Sequence, residues 1–200
     1  MPGKGSLKER INNGETVIGT YPGGGADRRR LEALLNHYPY DFFSIDSQHT
    51  PLDEVKLGEL CQIAAELETP VQLRTRHPRL AYLIGSTLDL GLGGVEVPQI
   101  DTVATVREAL DSFYYPPTGG QRGWGGIKYN VGFSGGDGQP HSRQTKADYA
   151  EYWAKTGVLM LQVESVETVV NASQLCLPGV DCISWGAHPD SNDLAFSRDV

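Results

Sequence analysis

Two hundred residues, 39% of them hydrophobic and 21% charged, supply one well-buried globular domain and do not ask for two. A formal net charge of −8 argues against nucleic acid or an anionic membrane as the main partner, though one buried arginine would still admit an anionic substrate. No run reaches the length of a membrane span, the start "MPGKGSLKER" lacks an apolar leader, and three cysteines (Cys61, Cys176, Cys182) form no close pair, so buried thiols in a cytoplasmic protein are expected.

The chain alternates apolar pulses with amphipathic stretches. "TVIGTYP" (16–22) predicts a strand and "ADRRRLEALLNH" (26–37) a helix. "DFFSID" (41–46) is the second strand. Residues 53–67 then place Leu57, Leu60, Cys61, Ala64 and Leu67 on one helical face. "PVQLRT" (70–75) is the third strand, with a helix through "RLAYLIGSTLDLG". "GGVEVPQI" (93–100) is the fourth, followed by a helix over 101–110 that Asp101 is placed to cap. A glycine-rich excursion from 113 to about 140 precedes a helix near 146–156. "GVLMLQVES" (157–165), a helix over 166–176 and "GVDCISWGA" (179–187) complete the pattern. Alternating β and α with nearly continuous apolar strands means a parallel sheet covered by helices, either an open doubly wound sheet or a (β/α) barrel.

Polar residues gather at the carboxyl ends of these strands, where parallel α/β folds bind ligands. Asp46 and His49 follow the second strand, Arg74 ends the third, Glu164 ends the fifth and Asp193 lies beyond the sixth. His49 is a candidate base that an adjacent acid would orient. Arg74, in an apolar strand, calls for an anionic partner, either a protein carboxylate or a substrate carboxylate. Glu164 and Asp193 offer oxygen-only ligation, which favours a hard divalent ion such as Mg²⁺ or Mn²⁺; a first-turn helix acid is the other reading of Glu164. "YPPTGGQRGWGG" (115–126) folds glycines around Arg122 but lacks the phosphate-loop spacing.

Taken together, "SLKERINNGETVIGTY", "DFFSIDSQHTP", "PVQLR", "LDLGLGGVEVPQIDT", "YPPTGGQRGWG", "LMLQVESVE" and "NDLAFS" resemble the HpcH/HpaI family of class II pyruvate aldolases, in the family's order and over nearly the whole chain. The resemblance implies a (β/α)₈ TIM barrel of the phosphoenolpyruvate/pyruvate-binding type. It also implies a carbon–carbon lyase that splits a 4-hydroxy-2-oxo acid into pyruvate and an aldehyde. A divalent metal ion (Mg²⁺, Mn²⁺ or Co²⁺) would hold the pyruvate oxygens and stabilise the enolate. Residue by residue, Glu164 and Asp193 match the metal ligands and His49 the acid/base histidine. Asp46 and Asp89 match the acids grouped around it, Arg74 the arginine beside the pyruvate oxygens, and Gln162 the glutamine before the metal glutamate. Gly186 and Ala187 match the segment whose amides hold the carboxylate. Homo-oligomers, hexamers in this family, are the expected assembly.

Three departures from the family pattern stand out. Gln48 replaces a glutamate before the histidine. The link to the metal aspartate is stretched to "GAHPDSNDL", which makes Asp190 the alternative ligand. About six βα units precede Val200, so the single barrel domain over 1–200 is expected to lack its C-terminal part. The alternatives are an oxaloacetate-type decarboxylase, a citrate-lyase or malyl-CoA-lyase-like enzyme, and a non-catalytic 2-oxo-acid-binding or assembly subunit.

Overall fold

Along each inner strand, wholly buried apolar side chains alternate with more polar ones, and that two-residue period sets the architecture. The computed structural model describes residues 5–125 and 143–186. Six strands lie within them: β1 (Gly19–Thr20), β2 (Phe42–Asp46), β3 (Val71–Arg74), β4 (Gly94–Val97), β5 (Val158–Val163) and β6 (Cys182–Trp185). They pair in chain order, every pair parallel, and the sheet curls as part of a barrel. An open doubly wound sheet would have changed strand order at a switch point, and this sheet does not.

One helix, α1 (Leu7–Asn12), precedes β1, and the others run between the strands: α2 (Arg28–His37), α3 (Glu54–Glu66), α4 (Ile84–Leu88), α5 (Val103–Phe113), α6 (Arg143–Thr156), α7 (Val166–Val170) and α8 (Ala172–Leu175). Their apolar faces meet the outward strand residues. Phe43, Ile45, Val95, Val97, Leu159 and Leu161 are all 0% exposed, in one cluster with Leu31, Leu57, Leu88 and Val106. That layer supplies most of the burial energy; each such side chain contributes about 1.5–3 kcal/mol.

Several elements differ from the expectation. α1 has no counterpart in it, since six residues carry too little periodicity; the Ser6 hydroxyl caps it by accepting from the Glu9 amide. The helix expected over 79–91 is a 3₁₀ segment (Pro78–Leu83) running into the short α4. The cap of α5 is Thr102, whose hydroxyl accepts from the Thr105 amide, rather than Asp101. Residues 166–176 break into two helices at Asn171. All three cysteines are free, but only Cys61 is fully buried and Cys176 is exposed.

Candidate active site

The register of the sheet lines up chemistry. Asp46 pairs with Arg74 across β2 and β3, and Arg74 pairs with Glu96 across β3 and β4, so three adjacent strands deliver acid, base and acid in one row. All three side chains point into the curl of the sheet, because their neighbours in sequence point outward to the helices.

Asp46 is the hub. Arg74 Nε donates to its Oδ1 at 3.1 Å and Nη2 donates to Oδ2, a forked pair. The Gln48 amide donates to Oδ1 at 2.8 Å, which bends the chain after β2. That bend brings His49 back, with Nδ1 3.1 Å from Asp46 Oδ2 and 3.1 Å from Arg74 Nη2. Nδ1 either donates to the carboxylate or accepts from the guanidinium, and the first tautomer leaves Nε2 as a free base. Burial would raise the Asp46 pKa, but bonds from Arg74, the Gln48 amide and His49 outweigh it and bring it down to about 2. For Arg74, burial pulls the pKa down and Asp46 more than restores it, so the group stays a cation.

Gln162 on β5 is buried, and its Oε1 accepts from Arg74 Nη1 at 3.5 Å. Glu164 follows β5 at the same end of the sheet. A Cβ on Gly186 would stand 2.7 Å from Glu164 Oε1, so the Glu164 side chain lies against the chain just after β6. Glu164 has no hydrogen-bond or ion-pair partner among the described residues. Among those residues no three His, Cys, Asp or Glu side chains are grouped to hold an ion. Asp193, its alternative Asp190, and Ala187 lie outside the described residues.

Within the single chain Asp89 does not join this cluster. It caps the C-terminus of α4, and the turn after a helix lies at the opposite end of a parallel sheet from the turn after a strand. There Asp89 accepts from Arg122 Nη2 at 2.6 Å, and burial raises its pKa despite that partner. The Arg122 guanidinium sits 4.6 Å from the Tyr115 ring and 5.0 Å from the Trp153 ring. The glycine-rich excursion thus buries a cation among rings there.

Two polar groups of the mouth escaped the sequence reading, Glu96 and Ser184. Ser184 Oγ donates to Glu96 Oε1. Burial raises the Glu96 pKa, with Ser184 and Arg74 pulling it back and Asp46 and Glu164 pushing it further up. Its signal was available: an acid inside "GVEVP" is as anomalous as an arginine inside "PVQLRT".

The family model described as HpcH/HpaI aldolase/citrate lyase matches residues 25–199. The chain belongs to that family. This HpcH/HpaI chain is 28% identical over 198 residues to a hydroxypyruvate/pyruvate aldolase of Roseobacter denitrificans, covering 96% of itself and 70% of that protein. A protein of the same description from Pseudomonas aeruginosa is 30% identical over 183 residues, covering 90% of this chain and 63% of the relative. The crystal structure of an HpcH/HpaI aldolase from Desulfitobacterium hafniense DCB-2 superposes with a TM-score of 0.76 at 23% identity, over 98% of this chain and 71% of that one. The chain therefore spans about two thirds of the length of such relatives, and the six parallel strands form part of the family's barrel.

Proposed function

We propose that this mouth belongs to a metal-dependent pyruvate aldolase that cleaves, or forms, the C3–C4 bond of a 4-hydroxy-2-oxo acid, with pyruvate and an aldehyde on the other side of the reaction. The observation that carries the reading is the Asp46–His49–Arg74 cluster: an oriented imidazole beside a fixed guanidinium at the carboxyl ends of two neighbouring strands. The relatives' descriptions as aldolases support it.

In the cleavage direction His49 Nε2 takes the proton of the C4 hydroxyl, while Asp46 stabilises the imidazolium through Nδ1–H. The C3–C4 electron pair moves into the 2-oxo group as C4 becomes the aldehyde carbon. Arg74, held from below by Asp46 and from the side by Gln162, presents positive charge to the oxygen that becomes negative. Protonation at C3 then releases pyruvate. Glu164, an oxygen donor without a partner among the described residues, fits a hard divalent ion (Mg²⁺, Mn²⁺ or Co²⁺), and Asp193 would join it as ligand. Such an ion, when bound, supplies Lewis-acid stabilisation of developing oxyanion charge.

The test is pyruvate release from 4-hydroxy-2-oxo acids with and without divalent ions, in the wild type and in His49→Ala. Metal-dependent release is expected, with kcat falling ~10²–10⁴-fold in His49→Ala and KM changing little. Full turnover after exhaustive chelation, or an unaltered kcat in the variant, would sink the mechanism.

A further inference from the structure

Glu96 is the one member of the inward row for which the cleavage chemistry above has no use. Val95 and Val97 on either side are 0% exposed against the helices, which fixes the Glu96 side chain on the inner face of β4. An aliphatic residue there would fill space at no electrostatic cost, whereas a half-buried carboxyl needs partners. Arg74 does not supply an ion pair: among the described residues it spends Nε and Nη2 on Asp46 and Nη1 on Gln162. Glu96 instead takes the Ser184 hydroxyl on Oε1, and its second oxygen has no hydrogen-bond partner among the described residues. Ser184, its proton already donated, has only lone pairs left to offer. The pair thus presents oxygen acceptors on the inner face of the sheet, where Glu96 stands beside Arg74 in the register. An alcohol satisfies them. A methylene leaves them bare, and a carboxylate would set its own oxygens against those of Glu96 and Ser184.

We infer that Glu96, with Ser184, is the specificity-determining pair of the mouth, selecting 2-oxo acids whose carbon chain carries an uncharged hydroxyl over analogues with hydrogen or a carboxylate at that place. This rests on the mouth being an aldol site. The preference for an alcohol over hydrogen survives either protonation state of Glu96, since a carboxylic acid and a carboxylate both bond an alcohol, whereas rejection of a carboxylate belongs to the ionised form.

Three 4-hydroxy-2-oxopentanoic acids that differ only at C5, as hydroxymethyl, methyl or carboxylate, test it. Pyruvate release and equilibrium binding are measured for the full chain, Glu96→Leu, Glu96→Gln and Ser184→Ala. In a mouth that stays partly open the hydroxymethyl substrate should lead the methyl one by ~10-fold in kcat/KM, well short of what a sealed hydroxyl site achieves. Glu96→Leu should erase that ratio and raise the methyl substrate's relative rate. Glu96→Gln, whose amide oxygen still accepts, should keep part of it. An unchanged ratio in both Glu96 variants, or no preference in the wild type by either readout, overturns the assignment. Preferential binding of the hydroxymethyl acid without any pyruvate release would refute the aldolase reading and leave the pair's role standing. Should Glu96→Leu fail to fold, Glu96→Gln and Ser184→Ala carry the comparison.

Discussion

The two carboxylate oxygens of Asp46 accept from Arg74 and from the Gln48 amide and meet His49 Nδ1, so one residue sets both the electrostatics and the backbone bend of the site. That concentration has a stability signature. The Asp46 pKa lies at about 2 in the folded chain against 3.8 for an unperturbed aspartate, so folding favours the ionised form. Its contribution is complete above pH ~4 and is lost as the pH falls through about 2, because the unfolded chain binds the proton first. Partial solvent access trims the effect, leaving on the order of 1–2 kcal/mol. Asp46→Asn should therefore be less stable than wild type at pH 7, with the difference narrowing as both are titrated below pH ~3 in circular-dichroism unfolding experiments. A gap of constant size from pH 7 to pH 2 would show that the Arg74 pair is not what Asp46 contributes. At the same scale, the positions of Asp46, Arg74 and Gln162 could be read because each interrupts or ends an apolar strand, and those of His49 and Glu164 because each follows one closely at the same end of a parallel sheet. Asp89 was not placeable on that logic: it ends a helix, and sequence motif alone does not say at which end of the sheet a helix terminus sits.

Strands were the easiest elements to read, since β2 through β5 keep the two-residue period that faces one layer of helices. Their ends were less so; β1 shrinks to Gly19–Thr20 within the expected 16–22 because few of its neighbours find a ladder partner. The α5 cap shows why local chemistry stops short. Asp101 and Thr102 are both good capping residues in adjacent positions, and only the path of the chain out of β4 decides that Thr102 takes the role. Close strand packing makes a sharper prediction. Gly94 faces inward on β4, where a Cβ would lie 2.6 Å from the Val158 carbonyl oxygen, a backbone atom with no freedom to yield. Gly94→Ala should cost ~1–3 kcal/mol in chemical denaturation through forced separation of β4 and β5. Gly58, in the middle of α3, has nothing within 4 Å of its would-be Cβ. Gly58→Ala should gain up to ~1 kcal/mol from helix propensity. Similar effects at the two sites would mean that strand contact is not what keeps Gly94 a glycine.

For the molecule as a whole, the proposed mouth lies at one end of the sheet and a second group of tying contacts at the other, as barrel enzymes divide function from stability. The far end is locked by one ammonium group. Lys8 Nζ on α1 lies 3.1 Å from Asp181 Oδ1 just before β6 and donates to the Tyr114 hydroxyl, at the end of α5, at 2.8 Å. Tyr114 passes a hydrogen bond on to the Gly179 carbonyl, and Asp181 Oδ2 accepts from the Leu159 amide, so α1, the end of α5, β5 and the segment leading into β6 are joined through these groups. Lys8 is only 9% exposed, and burial holds the Asp181 pKa above the usual range even though the Leu159 amide and Lys8 draw it down. Lys8→Ala strands that carboxylate in the interior, and the expected loss is ~3 kcal/mol. With the lysine gone the folded Asp181 binds its proton more tightly than the unfolded chain does, so stability declines as the pH rises through the folded pKa. The deficit of Lys8→Ala against wild type should accordingly be larger at pH 8 than at pH 4.5 in urea titrations. Replacing both partners with apolar groups, Lys8→Met with Asp181→Leu, should recover most of the loss, since no charge is then left unpaired. Equal deficits at the two pH values, or a double variant no better than the single one, would reduce the Lys8 contact to simple packing.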